Sequence, residues 1–265
     1  MNARELDRCS APYRVRFDEG GPDGLLRTSV LLRYTQDLAG HHSSVMGFGR
    51  AWYAERGITW LVRAAEIAVV GPMHVGAELV GTTQVIGWRR VWARRRTEFH
   101  DAGGALLAWV HIDWVLVDAR GAPTRIPPEF ERAFGAPPAT LGLARVDLGV
   151  TPADAARTRL AVRPQELDPM DHVNNAVYAD WLDEAVLEAG GARAVRAIPR
   201  LARLEYARAA EPAAKLTAEA WPDDDAWSCR VIDAGGDLLR ARLEPLSGDR
   251  GVADQRRDPF IPDSC

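Results

Sequence analysis

In the stretch Leu167–Ala185, LDPMDHVNNAVYADWLDEA, an acid, a histidine and two asparagines stand just before an apolar run of helical period. Asp168, His172, Asn174 and Asn175 are residue types that can do chemistry at this spacing. A carboxylate can take a proton from water or attack an electrophilic carbon itself. The first N–H groups of a helix lack intrahelical acceptors and lie at the positive end of its dipole, so they can hold a developing oxyanion. The same residues also suit a plain turn and cap, since Asp and Asn favour both. The elements that position them decide between the two.

Val177, Trp181, Ala185 and Val186 follow helical spacing, and so do Val30, Leu31, Tyr34 and Leu38 much earlier in the chain. VRFDEGGPDGLLRTSVLLRYTQDLA, from Val15, lies over VRPQELDPMDHVNNAVYADWLDEA, from Val162, without a gap. Arg16 falls on Arg163, Pro22 on Pro169, Tyr34 on Trp181 and Asp37 on Glu184. Each copy reads as a short strand, a turn rich in Gly, Pro or Asp, and an amphipathic helix. After each helix the texture turns to β: ITWLVRAAEIAVV, AELVGTTQVIGW, VWARRRTEFHDAGG and ALLAWVHIDWVLVDARG, then RLARLEYARAA, KLTAEAW, AWSCRVIDAGG and DLLRARLEPL. DAGG recurs as a hairpin-like turn at Asp101 and at Asp233. A lone long helix followed by a meander predicts an α+β layout, a sheet wrapped around that helix, formed twice.

The copies differ in chemistry. Gly21 stands where the second has Asp168, Leu25 where it has His172, and Arg27 and Thr28 where it has Asn174 and Asn175. Only the second half carries the polar constellation.

With 265 residues, 47% hydrophobic and 26% charged, the chain has a globular composition and room for one large or two ordinary domains. Its net charge of −4 gives no basic field for nucleic acid. Cys9, Cys229 and Cys265 are scattered, odd in number and without metal-ligand spacing. The opening MNARELDRCSAP has no apolar signal core, and no run approaches the roughly 18 apolar residues of a membrane span. A reducing, cytoplasmic setting is expected. No GxSxG elbow, Walker loop or dinucleotide fingerprint is present, which argues against a Ser-His-Asp α/β hydrolase and against nucleotide cofactors. His41 and His42 point apart on a helix and make a poor metal pair. The run WRRVWARRRTEFH, with Arg89, Arg90, Arg94, Arg95 and Arg96, could receive phosphates or an acidic protein face; a charged outer face of an edge strand is the expected reading.

LDPMDHVNNAVYADWLDEA resembles the helix-leading motif of hot-dog-fold thioesterases: an acid, then HVNN, an aromatic and an acidic helix face. The doubled arrangement is similar to the acyl–acyl-carrier-protein (acyl-ACP) thioesterases, relatives of the 4-hydroxybenzoyl-CoA-type enzymes. LLRYTQDLAGHHSSVMGFG and WVHIDWVLVDARGAPTRIPPEF echo that family's first half, and the resemblance runs through most of residues 13–245. It implies two tandem hot-dog repeats, with the acyl chain held between them, and release of a fatty acid from acyl carrier protein or CoA. It implies Asp168 as base or nucleophile, His172 polarising the carbonyl or orienting Asp168, and Asn174 and Asn175 shaping the oxyanion site. No metal, cofactor, nucleic acid or membrane span is implied, and the chain is expected as a monomer or homodimer. The expected organisation is an N-terminal repeat over 1–134 that holds the acyl chain, a Pro- and Gly-rich linker over 135–154, a catalytic repeat over 155–247 and a loose tail over 248–265.

Two positions depart from the family pattern. Met170 stands where the acyl-carrier-protein branch commonly has Asn. Ala209 and Ala210 align with an acid and a cysteine that the plant-type enzymes carry on a strand, and Glu211 is out of register. An acyl-thioester binding protein without turnover is therefore the alternative. A dehydratase would need a His–acid spacing that is not found.

Overall fold

The computed structural model describes residues 8–134 and 142–246. Ten strands form one antiparallel sheet: β1 (Arg8–Arg14), β2 (Ile58–Val69), β3 (Glu78–Arg89), β4 (Trp92–Asp101), β5 (Leu106–Asp118), β6 (Ala156–Ala161), β7 (Arg200–Tyr206), β8 (Lys215–Asp223), β9 (Ala226–Asp233) and β10 (Gly236–Pro245). Five helices accompany them: α1 (Thr28–Val45), α2 (Arg50–Arg56), α3 (Pro128–Phe134), α4 (Val177–Glu188) and α5 (Ala192–Arg196).

The strand order is β1-β3-β4-β5-β2-β7-β10-β9-β8-β6. Its first five strands and its last five, read inward from each edge, have the same connectivity, so the sheet is two copies of one unit. They join where β2 pairs with β7, Ala64–Val69 running opposite Glu205–Arg200. α1 packs on the first unit and α4 on the second, and the two helices touch each other. Leu31, Leu32, Tyr34, Tyr178, Leu182 and Val186 point into a single core shared by both units. This is the double hot-dog arrangement, each long helix cradled by five strands.

The repeat extends to individual hydrogen bonds. The N–H of Gly21 donates to the Leu25 carbonyl at 2.8 Å, and the N–H of Asp168 to the His172 carbonyl at 2.7 Å. Gly24 bonds to Gly21 as Asp171 bonds to Asp168, each at 2.9 Å, and Arg27 bonds to Glu19 as Asn174 bonds to Glu166. Gly20 bridges Leu26 as Leu167 bridges Val173. The two loops are one backbone with different side chains. After the helices the constant spacing is lost, because α1 outruns α4; a short helix, α2 in the first unit and α5 in the second, then leads into the next strand of each.

Two expectations need revision, and part of the linker has defined contacts. The arginine-rich strand β4 is not at an edge: it lies between β3 and β5, and its arginines divide between the two faces. β7 ends at Tyr206, so Ala209 and Ala210 lie in the loop beyond it, with Glu211 exposed. Part of the connector after α3, from residue 142, is tied to the sheet rather than loose. The Ala144 N–H donates to Asp113 at 2.8 Å and the Val146 N–H to the buried Glu205 carboxylate at 3.0 Å. Residues 135–141 and the tail over 248–265 lie outside the described residues.

Candidate active site

The loop before α4 holds Asp168 by its own backbone. Oδ1 accepts the Met170 N–H at 2.8 Å and the His172 N–H at 3.3 Å, while Oδ2 accepts from no described residue. Asp171 takes the left-handed conformation, φ 60°, at the position where the first unit has Gly24, φ 74°. The tight return that this allows brings His172 back beside Asp168. The His172 ring is exposed at the mouth of the cleft, and its backbone rather than its imidazole contacts Asp168.

Asn174 is the cap. Its Oδ1 accepts the Ala176 N–H at 2.9 Å, the bond of an N-cap residue, and its carbonyl takes the Val177 N–H. Asn175 follows it, and the Asn175 N–H donates to no described group. Its carbonyl accepts the Tyr206 hydroxyl at 3.0 Å, which pins the start of α4 to the end of β7. The Tyr178 hydroxyl accepts the Ala210 N–H at 2.8 Å and fixes the loop beyond β7 in the same way.

Asp168, His172 and Asn175 line a cleft of about 600 Å³ between the units. Asn174 does not line it; the cap stands behind. From the other unit come Gln36 of α1, Trp60 of β2 and Trp114 of β5. Gln36, Trp60 and Trp114 also line a second cavity of about 230 Å³, inside the first unit and walled by Phe48, Phe130 and Ala93. The two spaces adjoin across these three side chains. A polar mouth that continues into an aromatic-walled cavity suits a ligand with a reactive head and an apolar tail.

Gln36 was not anticipated from the sequence. Its Oε1 accepts the Asn174 side-chain amide at 3.3 Å, while its Nε2 is buried without a hydrogen-bond partner among the described residues. An orphan donor of this kind costs about 1–3 kcal/mol, so a ligand carbonyl that reached it would be held. Among the described cleft residues Asp168 is the sole acid, and Ala209 lies where a second acid was looked for.

The repeat makes a counterpart cleft, about 370 Å³, between the first loop and α4. Gly21 and Leu25 occupy it where Asp168 and His172 stand in the other. It holds acids on the helix side instead. Burial pushes the Asp183 carboxyl up to about 7, Arg200 opposing and Asp180 adding to the shift. Arg200 itself is bound to the Thr28 hydroxyl at 3.0 Å and the Ala197 carbonyl at 2.9 Å.

A double hot-dog with one carboxylate at a helix N-terminus and an adjoining apolar cavity defines a thioester-hydrolase class. Residues 7–134 match the family model of the acyl-ACP thioesterase N-terminal domain, and residues 150–219 that of the C-terminal domain. The chain belongs to the acyl-ACP thioesterase family and is a thioester hydrolase. Among solved structures it resembles a protein described as an oleoyl thioesterase from Lactobacillus plantarum, with TM-score 0.81 and 18% identity over 92% of this chain and 99% of that one. It also resembles an acyl-ACP thioesterase from Bacteroides thetaiotaomicron, with TM-score 0.76 and 17% identity over 92% and 99%. The 12:0-ACP thioesterase from Umbellularia californica gives TM-score 0.75 and 22% identity over 89% and 96%. At these identities the likeness shows the fold alone. No curated protein matches by sequence.

Proposed function

We propose that this protein releases a free fatty acid from an acyl-ACP, or from acyl-CoA as the smaller substrate, with Asp168 as general base. The supporting observation is the pair of loops with one backbone, of which only the second places an acid and a histidine in a cleft that leads to an apolar cavity. Residues 155–247 supply the base and the helix N-terminus, and residues 1–134 hold the acyl chain and lend Gln36 to the carbonyl.

The thioester carbonyl sits with its oxygen toward the Asn175 N–H and Gln36 Nε2. Asp168 Oδ2 takes a proton from water as the water oxygen bonds to the carbonyl carbon. The tetrahedral oxyanion is held by the two donors at the positive end of α4. It collapses with cleavage of the C–S bond. The thiolate receives the proton that Asp168 took from water, directly or relayed through His172, so that acid and thiol leave and the enzyme is restored. Asn174 orients rather than reacts: it caps α4 and turns Gln36. Attack by Asp168 Oδ2 itself would give an anhydride instead. A single turnover in ¹⁸O-water identifies an anhydride opened at the Asp168 carbonyl, because that route leaves ¹⁸O on Asp168 and an ¹⁶O of Asp168 in the product.

One chain contains the whole cleft, so a monomer is competent. No described helix is long and apolar enough to cross a membrane. Cys9 and Cys229 are free thiols, which fits a cytoplasmic setting.

The test is thiol release from acyl-ACPs and acyl-CoAs by wild type and Asp168→Asn. The asparagine keeps the Oδ1 acceptor for Met170 and removes the base. A fall in kcat of about 10²–10⁴-fold at unchanged melting temperature is expected. Equal turnover by the variant would discard Asp168. Tight binding of acyl thioesters without any turnover would favour a carrier over an enzyme.

A further inference from the structure

The arginines of β4 do not share one fate. Alternation along a strand sends Arg94 and Arg96 to one face and Arg95 to the other. On the outer face Arg94 meets Asp113 through Nε at 2.6 Å, and Arg96 meets Glu98 at 2.8 Å. Arg95 points inward, is 6% exposed and lines the 230 Å³ cavity among Phe48, Trp60, Trp114 and Phe130. Its partner is a neutral one: the Nη1 of Arg95 lies 2.7 Å from Nδ1 of the buried His42. Because a guanidinium only donates, that ring nitrogen is the acceptor.

Among the described residues no carboxylate pairs with Arg95. Burial lowers its pKa to about 10, and the groups that counter this are Tyr53 and Cys9, both neutral in their ordinary forms near pH 7. The guanidinium therefore stays charged beside aromatic rings, in a cavity that Ser43, Ser44, Thr59 and a second guanidinium, Arg50, also line. A buried charge without a counter-ion is costly, and an apolar cavity built only to hold a methyl-ended chain has no use for one. The cavity adjoins the Asp168 cleft through Gln36, Trp60 and Trp114. Trp114 pairs with Ala93, and Arg95 follows two residues further on the same face, about 7 Å along β4.

We propose that Arg95, backed by His42, is the recognition site for an anionic far end of the acyl chain, so that the enzyme's preferred substrates are thioesters of α,ω-dicarboxylic acids. This rests on the reading that the acyl tail enters from the Asp168 cleft. An ω-carboxylate reaching the buried Arg95 forms a charge-assisted pair, and a planar guanidinium can meet both its oxygens. A methyl end in the same place leaves the charge unpaired, so the arginine both selects and rejects.

The experiment compares ω-carboxyacyl thioesters with methyl-ended thioesters of the same carbon number, across a series of lengths, on wild type, Arg95→Met and Arg95→Lys. In wild type, kcat/KM for the best ω-carboxyacyl substrate is expected to exceed that of its methyl-ended partner by at least about tenfold. Arg95→Met should abolish or invert that ratio, with kcat/KM falling for ω-carboxyacyl chains and rising for methyl-ended ones, and Arg95→Lys should fall between. A wild-type preference for methyl ends at every length, or a ratio unchanged in Arg95→Met, overturns the proposal. Calorimetry of free α,ω-dicarboxylic acids against the same proteins separates the two readings. Binding that depends on Arg95 without any turnover defeats the hydrolase reading and keeps this one. Turnover without dependence on Arg95 does the reverse. If Arg95→Met does not fold, the wild-type ratio and the lysine variant still decide.

Discussion

Asn174 of the second repeat donates its side-chain amide to Gln36 Oε1 of the first at 3.3 Å, and this bond leaves Gln36 Nε2 buried, unpartnered and beside both the cleft and the adjoining cavity. The helix cap of one unit thereby sets the donor of the other. This gives a physical reason for the two units to be fused, since each contributes half of the proposed oxyanion site.

Gln36→Leu should separate stability from rate. Leucine removes the buried orphan Nε2 but also the Oε1 that accepts the Asn174 amide, so the two effects oppose and the melting temperature should stay near that of wild type. If Nε2 serves the oxyanion, kcat should fall by about 10²-fold or more with a smaller change in KM. Unchanged kcat would remove Gln36 from the site.

Asn174 has two duties that substitution can divide. Asn174→Ala loses the Ala176 bond and should cost about 0.5–2 kcal/mol of stability along with activity. Asn174→Asp keeps an Oδ1 acceptor for the cap and loses the amide aimed at Gln36. It should melt near wild type and still turn over more slowly. An Asp variant as active as wild type would show that the bond to Gln36 does nothing for catalysis.

Asp171 holds φ 60° where the first repeat uses Gly24. A left-handed backbone costs a residue with a Cβ roughly 1–2 kcal/mol, less for Asp. Asp171→Gly should thus leave stability unchanged or raise it by up to about 1 kcal/mol in urea unfolding. Asp171→Val should lower it and displace His172. Tolerance of valine would mean that the loop has another way to turn.

Much of this was legible in the sequence. The helical spacing of Val177, Trp181 and Ala185, and the gapless overlay of two strand–turn–helix segments, already imply a doubled unit with one polar loop. Residue preference makes Asn174 and Asn175 cap and turn groups without saying which does which. Other features depend on contacts between the repeats. Gln36 sits on an ordinary amphipathic helix, and only the packing of α1 against α4 brings it to Asn174. Arg95 was hidden in a run of arginines read as one charged face, although period-two alternation puts the middle of three consecutive residues on the opposite side. Ala209 and Ala210 were assigned to a strand because the apolar texture continues past Tyr206, where pairing with β10 stops.

The position of Gln36 recurs in the second repeat as Asp183, which lines the counterpart cleft. There a carboxyl replaces the amide, and burial is what pushes it up to about 7. An unfolded aspartate titrates near about 3.9, so between these values the folded protein holds a proton that the unfolded chain releases. The stabilisation linked to that proton is complete below about pH 4 and is lost as pH rises through about 7. Asp183→Asn carries no charge at any of these values and should not show the loss. In urea unfolding, wild type should therefore weaken relative to the variant between about pH 5 and about pH 8, by a few kcal/mol at most. Parallel pH profiles would mean that Asp183 is ionised throughout, held by Arg200. The same variant should leave kcat near wild type, because this cleft has Gly21 in place of the acid; a large loss of turnover would make the second cleft a working part of the enzyme.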